Sequence, residues 1–314
     1  MKSILLTGGQ GFIGSNLLEI LVESGFEIYV LMRQKKNVFS LLQNNGHIHP
    51  VYCDLRDIHA LPQILNSVRL DIVIHLAWDG VSGDNRSDYE MQIRNIEFTI
   101  QLLNAVRKLE CKRFIGIGST AEWDAYTACV KDATSPNLVS IYGITKMSAH
   151  FISKTLCSAY GIEHVWGIIG NTYGVGDNSN NFVNYAIKLM LSCDEAKFTS
   201  GEQYYDFVYV TDVARALVCL VNHGKNLCCY YIGSGAPRRL KEYIYFIRNV
   251  FNPQKELHLG AVIYNGISAD IDSFSIKKIS NDTGFKPQIS FEDGIEMIKN
   301  NLKSRSCYLH RGGM

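Results

Sequence analysis

Lys2 to Thr7 is a short apolar, β-prone run that ends in Gly8-Gly9-Gln10-Gly11-Phe12-Ile13-Gly14. Ser15 to Ser24 then shows helical spacing through Leu17, Leu18 and Leu21, with Gly25 as a stop signal. This order of strand, glycine loop and helix constrains the fold more than any other feature. Gly8, Gly11 and Gly14 stand at G-x-x-G-x-x-G spacing. Between a strand and a helix start, such a loop lets backbone approach a pyrophosphate that the helix N–H groups and dipole then hold. No G-K-[ST] follows, which excludes a P-loop.

Strand-like runs recur at Glu27 to Met32, Ile48 to Cys53, Asp71 to Leu76 and Arg113 to Gly118, with helical stretches between them, the longest near Asp88 to Leu109. The alternation predicts an α/β, Rossmann-type doubly wound parallel sheet with helices on both faces. A cofactor-binding domain is expected over 1–170. After about residue 170 the pattern loosens, through loops at Gly174 to Asn181 and Gly201 to Tyr205 and a polar segment, Gly260 to Ser280. The region 171–302 is read as mainly substrate-binding, with some segments returning to the core and a last helix near Phe291 to Leu302. The tail 303–314 has no usable pattern.

Lysines and arginines number 31 against 30 acids, a net charge of +1, which argues against binding to nucleic acid or a membrane surface by charge. The nine cysteines are odd in number and form no C-x-x-C; several lie in apolar runs, as expected of reduced thiols in a cytoplasmic protein. The N-terminal strand and loop are not a secretory signal, and no apolar run approaches the roughly 18 residues of a membrane helix.

The end of the second strand bears on the cofactor. NAD sites place an acid there for the ribose 2′-OH, but no Asp or Glu occurs from Ile28 to Cys53, and Arg33, Lys35 and Lys36 cluster instead. Arginine pairs well with a 2′-phosphate, so NADP is expected, with NAD the other possibility.

Tyr142 and Lys146 form Y-x-x-x-K, and i and i+4 share a helix face. A phenol titrates near 10, and an ammonium close by lowers it. Such a tyrosine can exchange a proton with a substrate oxygen while hydride moves at the attached carbon. Ser119-Thr120, ending the strand at Arg113 to Gly118, offers a second hydroxyl where ligands bind in such sheets; a helix cap is the other role for such residues.

With these residues in place, the chain resembles the extended short-chain dehydrogenase/reductase family of nucleotide-sugar epimerases, dehydratases and reductases, over about residues 2 to 302. Thr7 to Gly14 resembles TGGxGFIG, which puts Phe12 and Ile13 with the three glycines at the cofactor. Cys53-Asp54-Leu55-Arg56-Asp57 is similar to the adenine-contacting segment, placing Asp54 and Leu55 there, and His75-Leu76-Ala77-Trp78 resembles HLAA, placing Leu76 and Ala77 beside the cofactor. Gly118 to Trp123 resembles the S/T-x-x-x-Y segment, which makes Ser119 rather than Thr120 the catalytic hydroxyl. Asn171 to Gly176 looks like NVYGPG, and Gly201 to Asp212 like GxxxRDFIYVxD, with Tyr205 where the family has Arg. The resemblance assigns Trp78, Thr120, Asn171, Asn181, Phe182 and Tyr205 to the substrate. It implies a homodimer, pairing through the helix that holds Tyr142 to Tyr160.

Asn181-Phe182-Val183 and Gly201-Glu202-Gln203 resemble bacterial reductases and epimerases of surface-polysaccharide sugars, the nearest group being the CDP-abequose and CDP-paratose synthases, which reduce a 4-keto-dideoxyhexose with NADPH. NADPH-dependent 4-ketoreduction of a nucleotide-linked deoxysugar is therefore expected. NAD-dependent 4-epimerisation and a non-catalytic NADP sensor are the alternatives. Arg238 and Arg239 are candidates to replace the missing phosphate-binding Arg, and Glu122-Trp123-Asp124, in place of V-Y-G, to reshape the sugar pocket. No metal site is expected, His47 and His49 being read as loop residues and His75 as a strand-end histidine with a backbone partner. No G-x-S-x-G elbow occurs.

Overall fold

The computed structural model describes residues 2–33, 45–66, 68–131, 140–264, 266 and 268–311. Its centre is a parallel seven-stranded sheet made of β1 (Ser3–Thr7), β2 (Glu27–Met32), β3 (Ile48–Tyr52), β4 (Ile72–His75), β5 (Arg113–Ser119), β6 (Glu163–Ile169) and β11 (Cys228–Ile232). The spatial order is β11-β6-β5-β4-β1-β2-β3. β1 and β4 are buried along their whole length, as strands covered on both faces must be. The expected doubly wound sheet is present. Lys35 and Lys36 lie outside the described residues.

The helices that position the site are α1 (Phe12–Glu23), α2 (Leu61–Ile64), α3 (Tyr89–Lys108), α4 (Ala121–Val130) and α5 (Ser140–Tyr160). Gly25 turns the chain out of α1 at φ 76°. Asp88 caps α3 by accepting from the Met91 N–H at 3.0 Å. α6 (Phe182–Leu191), α7 (Val210–His223), α8 (Leu240–Phe251), α9 (Lys277–Thr283) and α10 (Phe291–Arg311) follow. α10 runs past the Leu302 end read from sequence. Its last turns lose apolar periodicity, but neither glycine nor proline interrupts them before Gly312.

The chain forms two compact units. The first comprises 1–169, 213–232 and 276–286, and the second 170–212, 233–275 and 287–314. The second contains three strand pairs: β7 (Asn171–Tyr173) with β10 (Phe207–Tyr209), β9 (Tyr204–Tyr205) with β12 (Arg238–Arg239), and β8 (Ala196–Phe198) with β13 (Leu257–Leu259). Its core is aromatic: the Phe291 centroid is 4.6 Å from Tyr243 and 5.2 Å from Tyr173, and Phe207 is 4.8 Å from Tyr243. Two fully buried carboxylates tie its segments together. Asp206 accepts from the Ser234 and Gly235 N–H groups, and Asp212 from those of Gln288 and Ile289.

Candidate active site

The sheet order reverses between β1 and β4. Ligand crevices open outside the carboxyl ends of strands at such a switch point. Thr7 and His75 are register partners there, and Gly8 follows at φ 73°. A Cβ on Gly8 would lie 2.7 Å from the Ala77 nitrogen, and one on Gly14 2.2 Å from the Gly8 carbonyl oxygen. Backbone therefore excludes a side chain at both positions. Gly11 differs: it is exposed, and among the described residues its Cβ would meet only the Gly8 oxygen, at 3.3 Å. It N-caps α1 without a side-chain cap. Helix geometry leaves the N–H groups of Phe12, Ile13 and Gly14 without intrahelical acceptors, at the positive end of the dipole. The loop fits a dinucleotide diphosphate.

Next to it, Leu76 and Ala77 are half-buried. Thr7 Oγ1 accepts from the Ala77 N–H at 3.1 Å and lies 2.8 Å from His75 Nδ1. His75 Nε2 is 3.2 Å from Thr99 Oγ1, whose own proton goes to the Asn95 carbonyl. His75 is thus held by two threonine side chains rather than a backbone group, which corrects the sequence reading. Burial and then Lys146 pull it down to about 3, so it is neutral and no base.

At the ends of β2 and β3, Arg33 reaches Asp79 at 3.7 Å. Asp54 accepts from Arg56 Nε and Nη2, both at 2.9 Å, and from the Arg56 N–H. Arg56 holds this carboxyl down at about 2. Leu55 beside it is half-buried. The acid after β3 therefore comes with a guanidinium that the sequence reading had not used.

The catalytic candidates lie at the end of β5 and on α5. Tyr142 and Lys146 are both buried. Burial raises the pKa of the Tyr142 phenol, while Arg86 and the Ser119 hydroxyl oppose the rise. Lys146 Nζ donates to the Ile117 carbonyl at 2.8 Å and sits 3.8 Å from the Trp78 ring centroid. Burial draws it down to about 7, with Glu122 acting the other way. Trp78 meets Tyr142 edge-on at 6.4 Å. Thr120 is the backbone N-cap of α4, with no side-chain cap bond.

Glu122, a candidate to reshape the sugar pocket, is buried. It turns inward, where it accepts from the Ser119 N–H at 3.1 Å and Trp166 Nε1 at 3.2 Å and meets His150 Nδ1 at 3.2 Å. Trp123 packs on Tyr231 at 5.1 Å. Asp124 is pushed up to about 6 by desolvation and drawn down by Arg86. Arg86 itself was missed, because an arginine in a polar loop carries no periodic signal; its guanidinium carbon is 4.4 Å from the Tyr142 centroid.

The remaining candidates belong to the second unit. Asn171 opens β7 and is half-buried. Asn181 is committed to the fold: it caps α6 by accepting from the Asn184 N–H at 2.8 Å, and its amide donates to Thr172 and Asp177. Phe182 lies 6.4 Å from Tyr205, and Tyr205 stacks on Phe207 at 5.8 Å. Arg238 and Arg239 are ion-paired, with Glu292 and Glu202 respectively. A cleft of about 890 Å³ in this unit is lined by Glu202, Gln203, Tyr204, Tyr264, Asp270 and Asp272 among others. No lysine or arginine occurs among its described lining residues.

His49 stands in β3, not a loop, and shares the Glu27 carboxylate with His47, both at 2.7 Å. Among the described residues no group of three or more His, Cys, Asp or Glu could hold a metal ion, and no helix is long and apolar enough to cross a membrane.

A family model described as the NAD dependent epimerase/dehydratase family matches residues 4–233, which include the glycine loop, Ser119, Tyr142 and Lys146. The chain belongs to this family. It is a nicotinamide-dependent enzyme of the nucleotide-sugar epimerase/dehydratase type. CDP-abequose synthase of Salmonella typhimurium is 26% identical over 313 residues, 95% of this chain and 98% of that protein. A putative UDP-glucose 4-epimerase of Methanocaldococcus jannaschii is 27% identical over 318 residues, 96% and 99% respectively. The fold is shared with a UDP-glucose 4-epimerase of Thermotoga maritima crystallised with UDP-glucose: TM-score 0.78, 23% identity, 96% of this chain and 99% of that one.

Proposed function

We propose that the chain reduces the C4 keto group of a nucleotide-linked deoxysugar, with NADPH as hydride donor. The observation that carries this reading is the meeting of Ser119, at the end of β5, with the buried Tyr142 of α5, Lys146 lying one turn further along the same helix. Two hydroxyls there can bind one carbonyl oxygen. NADPH, when bound, supplies the hydride. Ser119 orients the oxygen and Tyr142 gives it a proton; Lys146 favours the phenolate so formed and would hold the nicotinamide ribose. Gly8, Gly11, Phe12, Ile13 and Gly14 hold the diphosphate, Asp54, Leu55, Leu76 and Ala77 the adenosine and nicotinamide sides, and Arg33 the 2′-phosphate. Trp78, Thr120, Asn171, Phe182 and Tyr205 are proposed for the substrate, and Asn181 for shaping that loop. The likeness to CDP-abequose synthase supports a CDP-linked sugar and a place in surface-polysaccharide synthesis.

The test is parallel fluorescence titration of the stripped protein with NADPH and NADH, followed by turnover of CDP-, dTDP-, GDP- and UDP-linked 4-keto sugars. NADPH binding much tighter than NADH, and reduction that disappears in Tyr142→Phe while binding persists, are expected. Retained NAD and interconversion of 4-epimers would instead support the NAD-dependent 4-epimerase, a reading favoured by the likeness to a putative UDP-glucose 4-epimerase over nearly the whole chain.

We also infer a cytoplasmic homodimer. Ile144 and Phe151 on α5, and Tyr89 and Ile93 on the adjoining α3, are exposed apolar side chains that a second copy can cover. Light scattering that returns a monomer mass would refute the pairing.

A further inference from the structure

The proton-donor reading leaves one cation beside Tyr142 unused. Arg86 lies in the short turn Gly83–Ser87, with its guanidinium over the face of the phenol ring. The loop leading to it is fixed by Gln92, which is fully buried. The Gln92 amide donates to the Gly80 carbonyl at 2.8 Å and the Asn85 carbonyl at 3.0 Å, while its oxygen accepts from Trp78 Nε1 at 2.8 Å. Arg86 Nε is buried and has no hydrogen-bond partner among the described residues.

The polar and charged groups acting on Tyr142 are Arg86 from the turn, Ser119 from β5 and Glu122 from α4. Asp124 of α4 acts on Arg86, and Lys146 lies one turn along the helix of Tyr142. Lys146 is enclosed and bonded to Ile117; with its pKa drawn to about 7, it carries charge in only part of the molecules at neutral pH. A guanidinium does not lose its proton. A cation over the negative face of an aromatic ring is attracted to it, and more so once the ring carries a phenolate.

We propose that Arg86 is a positioning residue for proton transfer, its permanent charge stabilising the phenolate that Tyr142 becomes. The inference rests on Tyr142 being the proton donor. In that step the phenol O–H bond breaks and an O–H bond forms on the sugar oxygen as hydride reduces C4. The negative charge stays under Arg86 until a solvent proton restores the phenol.

The experiment uses the full chain with 3-fluorotyrosine at its tyrosines. The Tyr142 resonance is assigned by its loss in Tyr142→Phe, and its 19F shift is followed against pH in the parent, Arg86→Lys and Arg86→Gln. Arg86→Met, of similar length, takes the place of Gln if that variant does not fold. Ionisation about one pH unit higher in Arg86→Gln, with Arg86→Lys between, is expected from an opposite charge at this distance. The acid-to-alkaline profile of NADPH-dependent reduction of a CDP-linked 4-keto-3,6-dideoxyhexose should shift by the same amount, with NADPH binding within about twofold of the parent. Equal midpoints in all three proteins, or a parent phenol that stays protonated up to the pH of unfolding, overturn the proposal. Turnover retained by Tyr142→Phe strikes the functional reading instead, and the two failures are read from different signals.

Discussion

The ammonium of Lys146 lies 3.8 Å from the centroid of the Trp78 ring. The sequence reading placed Trp78 at the substrate and Lys146 at the cofactor. The contact joins them, because Trp78 leaves β4 at the switch point while α5 packs beside β5. The indole N–H is taken by Gln92, which fixes the ring face toward the ammonium.

Trp78→Leu removes that face and leaves the Gln92 oxygen without its indole donor. The expected cost is about 2 kcal/mol in denaturant melts. Burial already draws Lys146 down to about 7, and loss of the ring lowers it further. If charged Lys146 assists turnover, the alkaline limb of the pH–rate profile moves to lower pH. A limb that stays in place would show that the two residues are not coupled through charge.

Stability should fall as the solution is acidified below neutrality. Burial pulls His75 and His164 down to about 3, against an unfolded value near 6.5. Between those values the unfolded chain binds protons that the folded chain refuses. The stability these neutral histidines contribute is therefore complete above about pH 6.5 and is lost as pH falls toward 3. From pH 7.5 to 5.5 each contributes a drop of about 1.4 kcal/mol. Urea melts at the two pH values measure it, and His164→Asn should remove about half of the drop. Equal midpoints at both values would contradict the assignment.

Gly11 and Gly14 should respond differently to alanine. At Gly14 the new Cβ meets backbone at 2.2 and 2.7 Å, so Gly14→Ala should lower Tm by several degrees and abolish dinucleotide binding. At Gly11 the only close atom among the described residues is at 3.3 Å, and φ is −77°. Gly11→Ala should melt close to the parent yet bind NADPH at least tenfold more weakly. Parent-like binding by Gly11→Ala would remove that glycine from the diphosphate site.

Cofactor choice should follow Arg33. Arg33→Ala is expected to weaken NADPH at least tenfold and leave NADH within about twofold. Asp79→Asn, which releases Arg33 from its carboxylate partner, should strengthen NADPH binding. Equal losses for both cofactors would mean that Arg33 does not read the 2′-phosphate.

The first unit was legible because its signals are local. A strand of apolar residues, a glycine spacing and a helical period each declare themselves within about twenty residues. Ser119, Tyr142 and Lys146 sit on such elements, at the end of β5 and on α5. β11 was not legible. Cys228–Ile232 becomes an edge strand only through its register with Val165–Ile169 of β6, 63 residues earlier in the chain. The inward turn of Glu122 was equally hidden, since its partners Trp166 and His150 come from β6 and α5.

The sequence alone determined the parallel sheet, the dinucleotide loop and the tyrosine–lysine helix, because backbone propensity and periodicity act over short stretches. Tertiary structure decided which charges meet. It set Arg86 over Tyr142, enclosed Lys146 against Trp78, and tied Arg238, Arg239 and Asn181 into the fold. Electrostatic and hydrogen-bond energies depend on separation in space and on exclusion of water, and neither quantity is written in the spacing of residues along the chain.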